Sequence, residues 1–267
     1  MSESSIYLRR GVGKVDGWLN DYSAKYIVAL SDAQVRLGES GSVGEIGVHH
    51  GKLFILLALQ TQLDERAFGI DIFGDQHLNA DRSGKGDKEI LFSNMRKWAD
   101  RIKDARIIQK LSSDVGAAEI LETCGRARLV SIDGGHTEEC VINDLSLVEA
   151  VLTDRGIIIV DDYFNEYWPE VSSGVQRYLQ SGNSKLRPFA ITPNKVYLAP
   201  AESVPAYRTA MRQSQGYYHE KTSRLLGFDV DIFGLLDFTF STKKRLIEFV
   251  KTTPIAPYAK ALRARLG

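Results

Sequence analysis

Cysteine is scarce: Cys124 and Cys140 are the two in a chain of 267 residues. That is too few for a disulfide framework and fits a reduced, intracellular compartment. Long hydrophobic runs are missing as well, and no stretch approaches the roughly 20 apolar residues of a membrane span. The opening residues Met1-Ser2-Glu3-Ser4-Ser5 lead into no apolar segment, so no secretory signal is expected. Charge of either sign is not in excess, since Lys and Arg number 34, Asp and Glu number 34, and the net charge is +0. This balance removes the electrostatic case for nucleic acid or an acidic membrane as partner. Internal repeats and low-complexity segments are also lacking. A soluble, cytoplasmic protein is the expectation.

What is present is a large core, with 43% of residues hydrophobic, enough for one large domain or a domain with an appendage. Its organising stretch is 127–164. An apolar run ending in acid, Leu129-Val130-Ser131-Ile132-Asp133-Gly134-Gly135-His136, precedes a helical segment over 137–152. A second run, Gly156-Ile157-Ile158-Ile159-Val160, stops on Asp161-Asp162. Continuous β-branched runs separated by a helix read as parallel strands buried on both faces. Ligands of open parallel sheets sit beyond the carboxyl ends of the strands. Neighbouring strands lie about 4.8 Å apart, so Asp133, Asp161 and Asp162 can converge on one small volume. Carboxylates so crowded repel one another unless protons, basic groups or a cation intervene. A hard divalent cation with oxygen ligands is the economical solution.

Upstream, residues 1–13 are polar and expected to be loosely ordered. Trp18, Tyr22, Tyr26 and Leu30 recur at helical spacing and predict an amphipathic helix over 14–37. Ser42-Val43-Gly44-Glu45-Ile46-Gly47-Val48-His49-His50-Gly51 then reads as strand, glycine turn and helix start. Glycines let backbone approach a ligand where a Cβ would obstruct. The spacing is not the Gly-x-Gly-x-x-Gly of nicotinamide-cofactor folds. The next strand ends at Asp71, about twenty residues past the glycines, where an acid commonly binds a ribose diol. A polar loop over 74–87 is long for a compact α/β domain, which marks it as either a lid or a mobile insertion. After Asp162 come the aromatic and acidic residues Tyr163, Phe164, Tyr167 and Trp168, then Pro169, suited to the first turn of a helix. Strands near 189–192 and 196–199 form a hairpin and give the sheet an antiparallel edge. Beyond residue 201 aromatics are spread among polar residues. The final segment is basic, with Lys243, Lys244, Arg245, Lys251, Lys260, Arg263 and Arg265 against Glu248. A solvated helical face, an oligomer contact or a contact to a phosphorylated substrate are its alternatives.

Glu45-Ile46-Gly47-x-x-x-Gly51, Asp71, Ile132-Asp133-Gly134-Gly135-His136 and Val160-Asp161-Asp162-Tyr163 together resemble class I S-adenosylmethionine-dependent methyltransferases. More narrowly, they resemble the metal-dependent O-methyltransferases of sugar and macrolide tailoring and the related cephalosporin-hydroxylase-like group. The resemblance covers about 42–199. It implies a Rossmann-like, doubly wound α/β domain over 42–200 with a seven-stranded sheet. The first and last portions match no family pattern and are expected to form a helical cap over 1–41 and a helical, substrate or oligomerisation extension over 201–267. The resemblance also implies that Glu45, Gly47 and Gly51 hold the methionine end of S-adenosylmethionine, that Asp71 binds its ribose, and that Ser113 or Asp114 lies near the adenine. Asp133, Asp161 and Asp162 would bind the divalent metal, expected to be Mg²⁺. The histidine pair His49-His50 inside the glycine loop departs from the pattern in its bulk.

The expected reaction is methyl transfer to a hydroxyl of a sugar or other vicinal-diol small molecule. A bound Mg²⁺ lowers the hydroxyl pKa and fixes its orientation. His136 or Asp133 would take the proton, His136 having the more suitable unperturbed pKa of about 6.5. A metal-independent N- or C-methyltransferase and a non-catalytic protein of the same fold are the competing readings. The polar strand ends argue against the last of these.

Overall fold

The structure, a computed structural model, describes residues 2–79, 81–102, 104–214 and 218–234. In chain order it forms α1 (Glu3–Arg10), α2 (Asp21–Arg36), β1 (Ser42–Ile46), α3 (Lys52–Ala58), β2 (Ala67–Asp71), α4 (Lys88–Trp98) and β3 (Arg106–Gln109). Then follow α5 (Ala117–Cys124), β4 (Ala127–Ile132), α6 (Glu138–Val151), β5 (Leu152–Asp161), α7 (Pro169–Gln180), β6 (Leu186–Thr192) and β7 (Lys195–Pro200). The described chain closes with α8 (Val204–Gln213), β8 (Tyr218–Leu225) and β9 (Phe228–Gly234).

The apolar run of β5 is continuous because both faces of the sheet are covered. Ile157 and Ile159 pack with Tyr26, Leu30, Phe54 and Met211, from α2, α3 and α8. Ile158 and Val160 pack on the other face with Val141, Leu145, Val148 and Val175, from α6 and α7. The strand order is β3-β2-β1-β4-β5-β7-β6-β9-β8. The five strands from β3 to β5 are parallel, and β7 runs antiparallel to both β5 and β6. The order reverses direction between β1 and β4, which makes their carboxyl ends the switch point where open α/β sheets bind ligands.

Four expectations are corrected. Among the described residues the sheet has nine strands, not seven. The extension after residue 200 is only partly helical, because α8 is followed by β8 and β9, and β9 pairs with β6 to lengthen the sheet. Buried Asp231 on β9 anchors this addition by accepting from Arg208 and Arg212 of α8 and from Thr222 of β8. Strands there were hidden by dense charge, Glu220, Lys221, Arg224, Asp229 and Asp231, which breaks the apolar alternation. The basic segment from Lys243 to Arg265 lies outside the described residues. At the other end, the supposedly loose first residues form α1. Ser2 caps it by accepting from the Ser5 N–H, and Tyr7 is buried against Trp98. Trp18 lies outside α2 and is 77% exposed, whereas Tyr26 and Leu30 face the core as their spacing predicts.

A buried ion pair ties the N-terminal helices to the sheet. The Arg128 side chain of β4 is fully buried and donates to both oxygens of Glu65, to Ser31 Oγ and Gln34 Oε1 of α2, and to the Gln60 carbonyl. Removing one member leaves an uncompensated buried charge, which costs about 3–5 kcal/mol. Glu65→Ala is therefore expected to lose about 3–5 kcal/mol in urea denaturation. A loss below about 1 kcal/mol would mean that water already reaches Arg128.

Candidate active site

The carboxyl ends of β1, β2, β4 and β5 open into one cavity of about 990 Å³. Gly47, Asp71 and Ser113 line one end, and Asp133, His136, Asp162, Trp168 and Lys195 the other. Trp18, Leu19 and Asn20, just before α2, also contribute to the wall, as do residues of the 74–87 loop.

At the first end the glycines serve the protein's own backbone. Gly47 has φ +84, and a Cβ there would sit 1.8 Å from the Asp133 carbonyl oxygen. Its N–H donates to the Ile70 carbonyl, so the turn after β1 is clamped between the ends of β2 and β4. Gly51, at φ +87, heads α3, where a Cβ would meet Leu91 at 2.4 Å. Asp71 accepts from the His49 N–H at 2.7 Å and the Phe73 N–H at 2.6 Å, which fixes the carboxylate in the wall. Gly86 of the long loop lies directly over it, its would-be Cβ 3.1 Å from Asp71 Oδ1. Ser113 lines the cavity, whereas Asp114 of the same turn is exposed and outside the wall. Glu45 and Gly51 also stand behind the wall. Glu45 is 2% exposed, with Oε2 lacking a hydrogen-bond partner. Burial, reinforced by the charge of Asp133, holds its carboxyl well above the usual range.

At the other end the structure separates the three aspartates. Asp161 is paired in register with Lys195 of β7 and forms a buried ion pair with it. Its Oδ1 also accepts from the Asp162 N–H and from Asn194 Nδ2. Asp162, at φ +56, turns toward the cavity and accepts from Asn165, from Asn194 and, at 3.0 Å, from His136 Nε2. Ligand atoms of Asp133, His136 and Asp162 all lie within 4.8 Å of one another. Asp161 is engaged by Lys195 instead.

His136 is held on three sides. Asp81 Oδ2 accepts from its N–H at 2.9 Å and from Nδ1 at 2.6 Å, and the ring stacks on Trp168 at 4.3 Å. Burial works against the charged imidazole, but the hydrogen bonds it donates to Asp162 and Asp81 outweigh burial and lift the pKa to about 9. For Asp162 burial is likewise overcome, by His136, Asn165 and Asn194, and the carboxyl falls below its ordinary range. Asp133 is raised to about 8, chiefly by burial and then by the charge of Asp161, with Lys195 opposing. Two carboxylates beside a histidine, one of them too crowded to ionise readily, form a donor set that suits a divalent cation.

Asp81, Lys195, Asn165 and Asn194 belong to this end although their pattern in the sequence did not reveal them. Asp81 sits in the loop expected to be a lid or an insertion, and that loop does reach the site. Lys195 had a readable signal, being the one base of β7, a strand otherwise apolar.

A cleft of this kind, at the switch point of a doubly wound sheet with an acid after β2 and polar residues after β4 and β5, is where open α/β folds bind their ligands. Residues 45–163 match the family described as methyltransferase domain. The fold is similar to that of the O-methyltransferase NovP, with a TM-score of 0.57 at 17% identity over 67% of this chain and 80% of that one. A Bacillus cereus O-methyltransferase in complex with SAH has a TM-score of 0.51 at 12% identity, covering 74% of this chain and 90% of that one. Cofactor-bound Rv0187 from MTB has a TM-score of 0.50 at 17% identity, covering 75% and 90%. No curated protein sequence matches the chain.

The Gly47 geometry carries a prediction. Positive φ and overlap with a backbone carbonyl make Gly47→Ala costly to the fold itself, by about 2–5 kcal/mol. Chemical denaturation without ligand measures this, and an unchanged midpoint would return Gly47 to a purely cofactor-facing role.

Proposed function

We propose that the chain transfers a methyl group from S-adenosylmethionine to a hydroxyl of a small molecule bearing adjacent hydroxyls, such as a sugar, with help from a divalent cation, Mg²⁺ being expected. The observation that carries this reading is the convergence of Asp133, His136 and Asp162 at the opposite end of the cavity from Asp71. Similar folds include an O-methyltransferase bound to SAH, which supports the cofactor.

Asp71, its two oxygens already oriented by backbone N–H groups, retains lone pairs to accept from a ribose diol. Ser113, which lines the cavity, would lie near the adenine. Glu45 and Gly51 act from behind the wall, by shaping the loop that faces the methionine portion. Asp133 and Asp162 would hold the cation; Asp161, occupied by Lys195, would steady the adjoining backbone and join only if that pair opened. A bound divalent cation lowers the pKa of a coordinated hydroxyl and orients it. The protein's remaining task is alignment, since a sulfonium already carries a good leaving group and in-line approach is what the site must enforce.

His136 Nε2 is the proton acceptor in this scheme. Asp81 keeps the other proton on Nδ1 and so fixes which nitrogen faces the cavity. A cation held by Asp162 would weaken the interaction that raises His136 and leave Nε2 able to accept. Asp133 is the alternate acceptor, weaker when it serves as a ligand.

Calorimetry with S-adenosylhomocysteine, with and without Mg²⁺, followed by turnover on a panel of vicinal diols and their single-hydroxyl analogues, tests the reading. Cofactor binding together with Mg²⁺-dependent turnover confined to diols is expected. Full turnover in the presence of EDTA would favour a metal-independent transfer. His136→Asn is expected to bind S-adenosylhomocysteine normally yet lose about 10²–10⁴-fold in turnover. Near-normal turnover would shift the base to Asp133.

A further inference from the structure

A second cluster of metal-ligating side chains stands apart from Asp133, His136 and Asp162. Ligand atoms of Asp16, His49 and His50 lie within 4.8 Å of one another. The two imidazoles are consecutive, yet their rings are only 3.9 Å apart. This juxtaposition comes from the backbone: His49 has φ 53, and its N–H is pinned to Asp71. Side chains of neighbouring residues in extended structure would point apart. Nδ1 of His49 and Nδ1 of His50 are both buried and neither has a hydrogen-bond partner. Two unsatisfied buried ring nitrogens facing one small volume are costly unless something fills it.

We propose that Asp16, His49 and His50 form a site for a borderline first-row transition ion, with Zn²⁺ as the best match. His50 Nδ1 and Asp16 Oδ2 are 3.6 Å apart, long for a direct hydrogen bond. Two ligands of a tetrahedral ion with bonds of about 2.0 Å stand roughly 3.3 Å apart, so small side-chain movements suffice. Two imidazole nitrogens and one carboxylate suit Zn²⁺, whereas Mg²⁺ prefers an all-oxygen shell. The Asp16 side chain is 84% exposed, which leaves an entry path and room for water as fourth ligand.

The ion would join two segments that already touch. Lys52 Nζ donates to the Gly17 carbonyl at 2.8 Å, and Tyr7 Oη to the Lys52 carbonyl at 2.8 Å. Trp18 lies 5.4 Å from the His49 ring and lines the cavity. Zinc at this point therefore fastens the strap between α1 and α2 to the turn that follows β1. The site does not depend on the acceptor chemistry proposed above.

Equilibrium dialysis of the full chain against micromolar Zn²⁺ in millimolar Mg²⁺, read by metal content and thermal midpoint, tests the site. The wild type and an Asp133→Asn/Asp162→Asn variant are both expected to retain one zinc and to gain thermal stability from it. Asp16→Asn and His50→Gln should each weaken uptake by about 10-fold or more. Asp16 is exposed, so its variant tests ligation without threatening the fold. Zinc uptake that is absent from the wild type, or undiminished in both Asp16→Asn and His50→Gln, would overturn the proposal, as would uptake abolished only by Asp133→Asn/Asp162→Asn.

Discussion

Four carboxyl groups share the ends of three adjacent strands with one buried lysine, and their mutual repulsion shapes everything around them. Glu45, Asp133, Asp161 and Lys195 all influence one another electrostatically. No arrangement lets every acid ionise in so little water. The molecule divides the problem. Lys195 neutralises Asp161, with burial opposing its charge but Asp161 and Asp133 prevailing. His136 neutralises Asp162, and Glu45 is driven toward its protonated form. Asp133 is left with no dedicated basic partner and opens on the cavity. The backbone follows from the same constraint, because Gly47 must come against the Asp133 carbonyl for β1 and β4 to end together.

This division explains how far the site was legible before the fold was known. Strand-end acids announce themselves, since an apolar run halted by Asp-Asp has few uses other than a site. Thus Asp71, Asp133, Asp162 and His136 could be placed on one cleft from pattern alone. Pairing across the sheet could not be read in that way. Asp161 and Asp162 are neighbours in sequence and both line the cavity, but Asp161 is paired with Lys195 across the sheet, whereas the left-handed backbone at Asp162 turns its carboxylate to His136. That split depends on the register of β5 against β7, which periodicity does not encode. The same holds for Asp81, whose partner His136 lies 55 positions away.

The fold shows a parallel contrast. The two-faced apolar runs of β4 and β5 declared a doubly wound parallel sheet without ambiguity. β8 and β9 did not, because they add to an edge and charges interrupt their apolar pattern. Asp231 and its arginine partners stabilise that edge through ion pairs, where hydrophobic alternation would have been visible. Likewise α1 hides in a polar opening, held by a serine cap and one buried tyrosine.

The central claim is that Asp133, whose ionisation burial and crowding oppose, serves as a ligand to a divalent cation shared with Asp162. Anomalous diffraction from crystals soaked in Mn²⁺ measures it most directly. The account predicts a peak between Asp133 and Asp162, with carboxylate oxygens at about 2.1–2.2 Å. Well-ordered density for both side chains with no anomalous peak between them would contradict it.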